Sequence, residues 1–286
     1  MSKFVLSAFA DEAGKTLSAQ IAALRRNRIG YMEIRNVDGK SVVDLTAGEK
    51  KDIRAALDGA GIRVRTIGSD IGKIDITADL APHLDRLKRT LDAAGTLGAT
   101  RIRMFSFFMP EGRADEYRDE ALERIDRMLD TAKGSGVTLY HENEKSIYGD
   151  TFARVKDLMD VFGGRMKFIF DPANFLQCGE KPGEIYPLLQ KDIACFHIKD
   201  AVFATGAVVP AGEGDGAIPD ILAAHARTAD GVMLTVEPHL KKFVGFTDMR
   251  GMNADEEKRY ATNDAAFDAA VAALKSILER EGLSYE

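Results

Sequence analysis

The chain has 286 residues, room for one large domain or two small ones, and enough for a single (β/α)₈ barrel with extra loop length. Its composition, 45% hydrophobic and 29% charged, is that of an ordinary globular protein and excludes disorder. The net charge of −6, from 39 basic against 45 acidic residues with no long basic run, argues against a phosphate-neutralising face, so no nucleic-acid partner is expected.

The opening stretch from Met1 to Ser7 is too short for a signal peptide, and no window holds the roughly 18 apolar residues of a transmembrane helix. Two cysteines, Cys178 and Cys195, cannot build a disulfide framework, and neither has a nearby base to make it a nucleophile. A cytoplasmic protein without membrane contact is expected.

Short apolar runs then alternate with amphipathic ones along the chain. The strand-like runs are Phe4–Phe9, Tyr31–Ile34, Val64–Ile67, Arg101–Phe107, Val137–Tyr140, Met166–Phe170, Ile193–Ile198 and Val232–Val236. Several lack polar alternation, as parallel strands buried on both faces do. Helical periodicity runs from Leu17 to Leu24, from His83 to Leu97, from Leu122 to Leu129 and from Ala265 to Leu283. Glycines at 30, 61, 98, 136 and 231 stand between helices and the strands that follow. Eight strands at this spacing, with no linker, predict one (β/α)₈ barrel over residues 1–286. The open doubly wound alternative is disfavoured because Ala8-Phe9-Ala10-Asp11-Glu12 follows the first strand, where a Gly-rich fingerprint would be needed.

Such barrels carry their active sites at the C-terminal ends of the strands. Strand five ends in His141-Glu142-Asn143-Glu144, strand six in Asp171-Pro172-Ala173-Asn174, strand seven in His197-Ile198-Lys199-Asp200, and strand eight in Glu237-Pro238-His239. Singly, each has a plainer role: a solvated loop carboxylate, an Asx turn before Pro172, a core histidine. Together, one per consecutive strand end, Glu142, Asp171, His197 and Glu237 point to one divalent metal, because converging carboxylates repel unless a cation lies between them. Three carboxylates and an imidazole suit Mn²⁺, Co²⁺, Mg²⁺ or Zn²⁺.

Substrate contacts are expected from Glu33 and Arg35 past strand two, from Lys199 on the strand face of His197, and from His239 on that of Glu237. His141 should point away from Glu142 by strand alternation, although a displaced backbone would bring it in as a substrate-binding or acid/base group. Asp200 is expected to orient His197 or Lys199, and Phe9, Phe105 and Phe107 to form an apolar wall. The glycine-rich run from Pro210 to Gly216 lacks the Walker lysine and reads as a loop over the site. His83 and His225, on helix-like segments, read as structural.

The strand-end series HENE, DPAN, FHIKD and VEPH resembles the xylose isomerase-like barrels of the sugar phosphate isomerase/epimerase superfamily, over the span from Ala8 to Glu237. The resemblance implies that Glu142, Asp171, His197 and Glu237 are the metal ligands, and that Glu142 and Glu237 also act as the acid/base pair. It implies a metal-dependent isomerase or epimerase of a sugar or keto-polyol working through an enediolate. A dehydratase or lyase on a keto-sugar or inosose shares the same apparatus. A non-catalytic sugar-binding barrel and an endonuclease IV-like nuclease are the remaining readings, the latter with too few histidines at five. The family often has His three residues after the strand-six Asp; here that position is Asn174, still able to hydrogen-bond a substrate hydroxyl. Relatives commonly pair, which leaves a homo-oligomer open.

Overall fold

The computed structural model describes residues 3–243 and 259–286, so Met1 and Ser2 of the apolar opening lie outside the described residues. Eight parallel strands close into a barrel: β1 (Phe4–Ala8), β2 (Tyr31–Ile34), β3 (Arg63–Ile71), β4 (Arg101–Met104), β5 (Thr138–Glu142), β6 (Lys167–Phe170), β7 (Ile193–Ile198) and β8 (Val232–Val236). Each pairs with its neighbours in sequence, and β8 returns to β1 with Phe4 opposite Val232 and Ala8 opposite Val236.

Around the strands lie α1 (Leu17–Arg26), α2 (Ala47–Gly59), α3 (Ala81–Leu97), α4 (Arg118–Ala132), α5 (Phe152–Phe162), α6 (Pro172–Gln177), α7 (Pro182–Leu189), α8 (Ile218–His225) and α9 (Asn263–Arg280). Among the described residues no helix is long and apolar enough to cross a membrane.

The period of two in a strand sorts its residues into two cores. Leu6, Met32, Ile102, Leu139, Phe168, Phe196 and Leu234 face outward and pack under the helices in the main cluster. Val5, Tyr31, Tyr140, Ile169, Cys195 and Met233, of opposite parity, fill the lower barrel as a separate cluster. Arg63 and Arg65 lie over the Tyr31 ring and Arg101 over Tyr140, so this lower layer ends in cation–π contacts. The same inward parity continues upward through residues 33, 35, 103, 142, 197, 199, 235 and 237. The site is therefore an extension of the barrel's own register.

Local chemistry sets the helix ends. Thr46 and Glu49 form a reciprocal capping box at the start of α2. Gly98 ends α3 in the left-handed region at φ 77°, a conformation that a residue with a Cβ adopts only with strain. Before β2 the left-handed residue is Arg28, at φ 53°, and not the expected Gly30. The fourth strand also stops earlier than its apolar run, at Met104, because the chain beyond turns to bond Ile71 and Gly72 and takes φ 70° at Phe107.

The β1–β2 seam has only two paired positions, Ser7 with Tyr31 and Ala8 with Met32. Lower on β1, Phe4 and Leu6 donate their N–H groups to the carbonyls of Ser284 and Glu286 at 3.1 and 2.7 Å. These residues after α9 satisfy backbone groups that β2 leaves unpaired.

The glycine-rich run also has a definite anchor. Asp200 is fully buried, and its carboxylate accepts N–H bonds from Ala201 and Gly216 on Oδ1 and from Gly212 and Gly214 on Oδ2. Asp200 thus holds this loop and does not orient His197 or Lys199, as its position after His197 had suggested. A Cβ on Gly214 would lie 2.5 Å from both Ala201 O and Asp200 Oδ1, which explains the need for glycine there. Replacing Asp200 with Ala should cost roughly 3 kcal/mol by orphaning these donors, read as a lower urea midpoint at constant m-value. The Asp200→Asn variant should lose nearly as much, because its amide NH₂ would face two N–H donors.

Candidate metal centre

Four strand ends converge at the barrel mouth. Glu142 is the last residue of β5, Asp171 follows β6, His197 lies one residue before the end of β7, and Glu237 follows β8. All four are at most 2% exposed, and one ligand atom from each lies within 4.8 Å of the others. His197 Nδ1 is 2.7 Å from Glu142 Oε1 and 3.6 Å from Glu237 Oε2. Its Nε2 faces Glu33 Oε2 at 3.2 Å, and Thr235 Oγ1 donates to the same oxygen at 3.1 Å.

Three fixed cations are threaded through the carboxylates. Arg103 Nη1 lies 3.1 Å from Glu142 Oε2 and 3.4 Å from Glu237 Oε1. Lys199 Nζ lies 3.1 Å from Glu237 Oε2 and 2.9 Å from Asp171 Oδ2. Arg35 forms a two-point pair with Asp11 and reaches Glu12 at 3.1 Å and Glu237 at 3.5 Å. Asp11, Glu12, Glu33, Glu142, Asp171 and Glu237 together outnumber these cations two to one.

The proton distribution follows from that imbalance. Burial opposes charge on His197, but Glu142 and Glu33 outweigh it and hold its pKa well above the imidazole range. Burial alone would raise Glu142, yet His197 and Arg103 draw it down to about 2. Glu237, likewise buried, is held well below the carboxylate range by Lys199 and then His239. Asp171 is the exception: burial lifts it to about 7 against the pull of Lys199. Glu12 is lifted to about 8 by burial, with Glu237 and Asp11 adding to the rise against Arg35.

Asp171 Oδ2 and Glu33 Oε1 are buried and accept no hydrogen bond; Lys199 is near Asp171 Oδ2 but outside hydrogen-bonding geometry. A divalent ion among Glu142, Asp171, His197 and Glu237 would satisfy Asp171 and displace the His197 proton, with Glu33 then orienting the imidazole through Nε2. Glu12, Glu237 and His239 form a second, overlapping donor group that shares Glu237.

The residues expected to touch substrate divide into two sets. Lys199, Arg35 and His239 are at the mouth, His239 Nε2 lying 3.5 Å from Glu237 Oε1. Glu33 instead lies beneath the cluster, against His197. His141 turns out of the barrel, with Nε2 3.0 Å from Ser106 Oγ and its ring stacked on Phe168, so the displaced-backbone alternative does not arise. Asn174 is buried in the first turn of α6 and donates from Nδ2 to Asn143 O at 2.8 Å, which ties that helix to the loop after β5. Phe9 packs edge-on to His197 at 5.3 Å and Phe105 meets Arg103, whereas Phe107 packs toward Arg124 outside. His83 accepts from Gly72 N and His225 pairs with the Tyr186 hydroxyl, both away from the mouth.

Sequence reasoning passed over Arg103, Asn143, Asp11 and Glu12. Arg103 has the inward parity of its strand, a usable signal. Asn143 accepts from Asp171 N on Oδ1 and donates to Asp171 O from Nδ2, each at 2.9 Å, clamping that residue's backbone. Only the fold reveals that clamp.

The comparisons with known proteins come to the same architecture. None of the curated proteins is a significant match to the chain. The solved IOLI protein, described with a bound zinc atom, superposes with a TM-score of 0.74 at 13% identity, over 98% of this chain and 99% of that one. The probable 3-DHS dehydratase AsbF of Bacillus anthracis gives 0.70 at 16% identity, covering 98% and 100%. A D-tagatose 3-epimerase-like protein gives 0.73 at 14% identity, covering 99% and 98%. At these identities the likeness is one of fold. The model of the xylose isomerase-like TIM barrels matches residues 21–280, and the chain belongs to that family.

Proposed function

We propose that residues 1–286 work as one barrel unit and that the chain is a divalent-metal-dependent isomerase or epimerase of a sugar or keto-polyol. The observation that carries this reading is the buried convergence of Glu142, Asp171, His197 and Glu237, with an Asp171 oxygen that accepts no hydrogen bond. Bound Mn²⁺, Co²⁺, Mg²⁺ or Zn²⁺ would polarise a substrate carbonyl and its neighbouring hydroxyl, acidifying the adjacent C–H.

The chain's own groups carry the proton. Glu142 and Glu237 sit three strands apart around the barrel and are carboxylates at neutral pH. One takes the proton from carbon. The other returns it to the opposite face, giving an epimer, or to the neighbouring carbon, giving an isomer, with an enediolate between the two transfers. Arg103 touches both carboxylates and holds their relative positions. Lys199, between Asp171 and Glu237, is placed to donate to a substrate oxygen. Phe9 and Phe105 keep water from the reacting carbon.

A dehydratase is the second reading, supported by the likeness to AsbF. It shares the first proton removal and then expels a β-hydroxyl. A panel of ketoses, inososes and keto-acids with Mn²⁺ in D₂O separates the two: deuterium in an unchanged skeleton marks epimerisation, and loss of water marks the lyase.

Metal titration followed by electron paramagnetic resonance should show one tight Mn²⁺ site, with Asp171→Asn weakening it about 100-fold; no binding by the intact chain would end the proposal. Glu142→Gln and Glu237→Gln should each lower turnover by about 10²–10⁴ at saturating metal. Undiminished turnover would show that neither carboxylate moves the proton. Because His197 holds a proton without metal and Asp171, lifted to about 7, holds part of one, binding at pH 7 should release between one and two protons. The sign follows directly: affinity falls as the pH drops. Calorimetry in buffers of different ionisation heats would reveal this, and buffer-independent heats would contradict it.

A further inference from the structure

A cavity of about 370 Å³ lies on the rim between the loop after β5, the C-terminal end of α6 and the turn at residues 203–206 beyond β7. Its walls include Lys145, Gln177, Phe203, Thr205 and Gly206. This volume is in the range of small-molecule sites.

Lys145 gives the cavity its character. The side chain is half-buried, and its one hydrogen bond among the described residues goes to Gln177 Oε1, at 3.4 Å. It forms no ion pair among the described residues. The adjacent Glu144 is already engaged, its Oε2 with Lys73 Nζ at 3.2 Å and its Oε1 with the Lys145 N–H. Gln177 is pinned from the other side, Nε2 donating to Gly206 O at 3.0 Å, so that its oxygen points at Lys145. A partly desolvated ammonium facing one neutral amide is under-compensated and favours an anion. Thr205 Oγ1 accepts the Ala207 N–H, which leaves its O–H to donate. Phe203, 40% exposed, adds an apolar edge at the opening.

The position relative to the metal centre matters as much. Asp171 caps α6 at one end and Gln177 is its last residue. Six helical residues span roughly 9 Å, about the extended length of a five- or six-carbon chain bearing a terminal oxyanion.

We propose that this cavity is the subsite for a carboxylate or phosphate at the far end of the substrate, with Lys145 as its counter-ion. The assignment rests on the reading of the mouth as the reacting centre and narrows its substrate to an anionic sugar or sugar acid.

The test uses the intact, Mn²⁺-loaded protein with inorganic phosphate and acetate as probes, titrated by calorimetry into wild type, Lys145→Gln and Lys145→Arg. The expected result is binding to wild type, at least ten-fold weaker binding to Lys145→Gln, substantial recovery in Lys145→Arg, and equal Mn²⁺ affinity in all three. The tighter probe identifies the oxyanion. Phosphate or acetate that sits on the metal alone would bind wild type and Lys145→Gln equally, and that outcome, like no binding to wild type, overturns the subsite. Loss of Mn²⁺ binding by the wild type would instead overturn the metal reading, so the two failures are separable.

Discussion

Burying six carboxylates in one barrel mouth against Arg35, Arg103 and Lys199 is the constraint around which the rest of the molecule is arranged. Like charges within a few ångströms in a low-dielectric interior cost several kcal/mol each unless counter-charges are held in register. Loops alone hold such groups poorly. Here Arg103, Glu142 and His197 come from strands of a closed barrel, and Arg35, Asp171, Lys199 and Glu237 lie within two residues of strand ends. Closure is what makes the electrostatics affordable.

The barrel in turn depends on a strict separation of parities. Outward residues such as Leu6, Phe168 and Phe196 pack beneath the helices. Inward residues change along the axis from the apolar Val5, Ile169 and Met233 to the charged layer above. The lower layer supplies hydrophobic stabilisation that the upper one forgoes. The trade of stability for a reactive mouth thus runs along each strand, between residues two apart, such as Cys195, His197 and Lys199.

Much of this was legible in the residues. The eight apolar runs marked all eight strands because parallel strands buried on both faces leave uninterrupted hydrophobic signals. The four converging side chains stood out because each ended such a run. Parity, applied to His141, also indicated that it faces away. The same rule would have found Arg103, but a basic residue in an apolar run reads more readily as rim. The bonds that Glu33 and Asn174 make within the protein were not legible, for another reason. Whether a polar group near the mouth meets substrate or braces a neighbour depends on contacts with Thr235, His197 or Asn143, from segments remote in sequence. The tie between Asp200 and its glycines spans 12 to 16 residues and involves backbone donors that carry no side-chain signature.

Asp171 is a single rigid carboxylate with two employments. Oδ1 accepts the Asn174 N–H and fixes the first turn of α6, while Oδ2 lies against the Lys199 ammonium. The same side chain is thus both a cluster carboxylate and the N-cap of a helix that ends at Gln177. Replacing it removes an acceptor from the cluster and a cap from α6 together, so a loss at this position is read in two places.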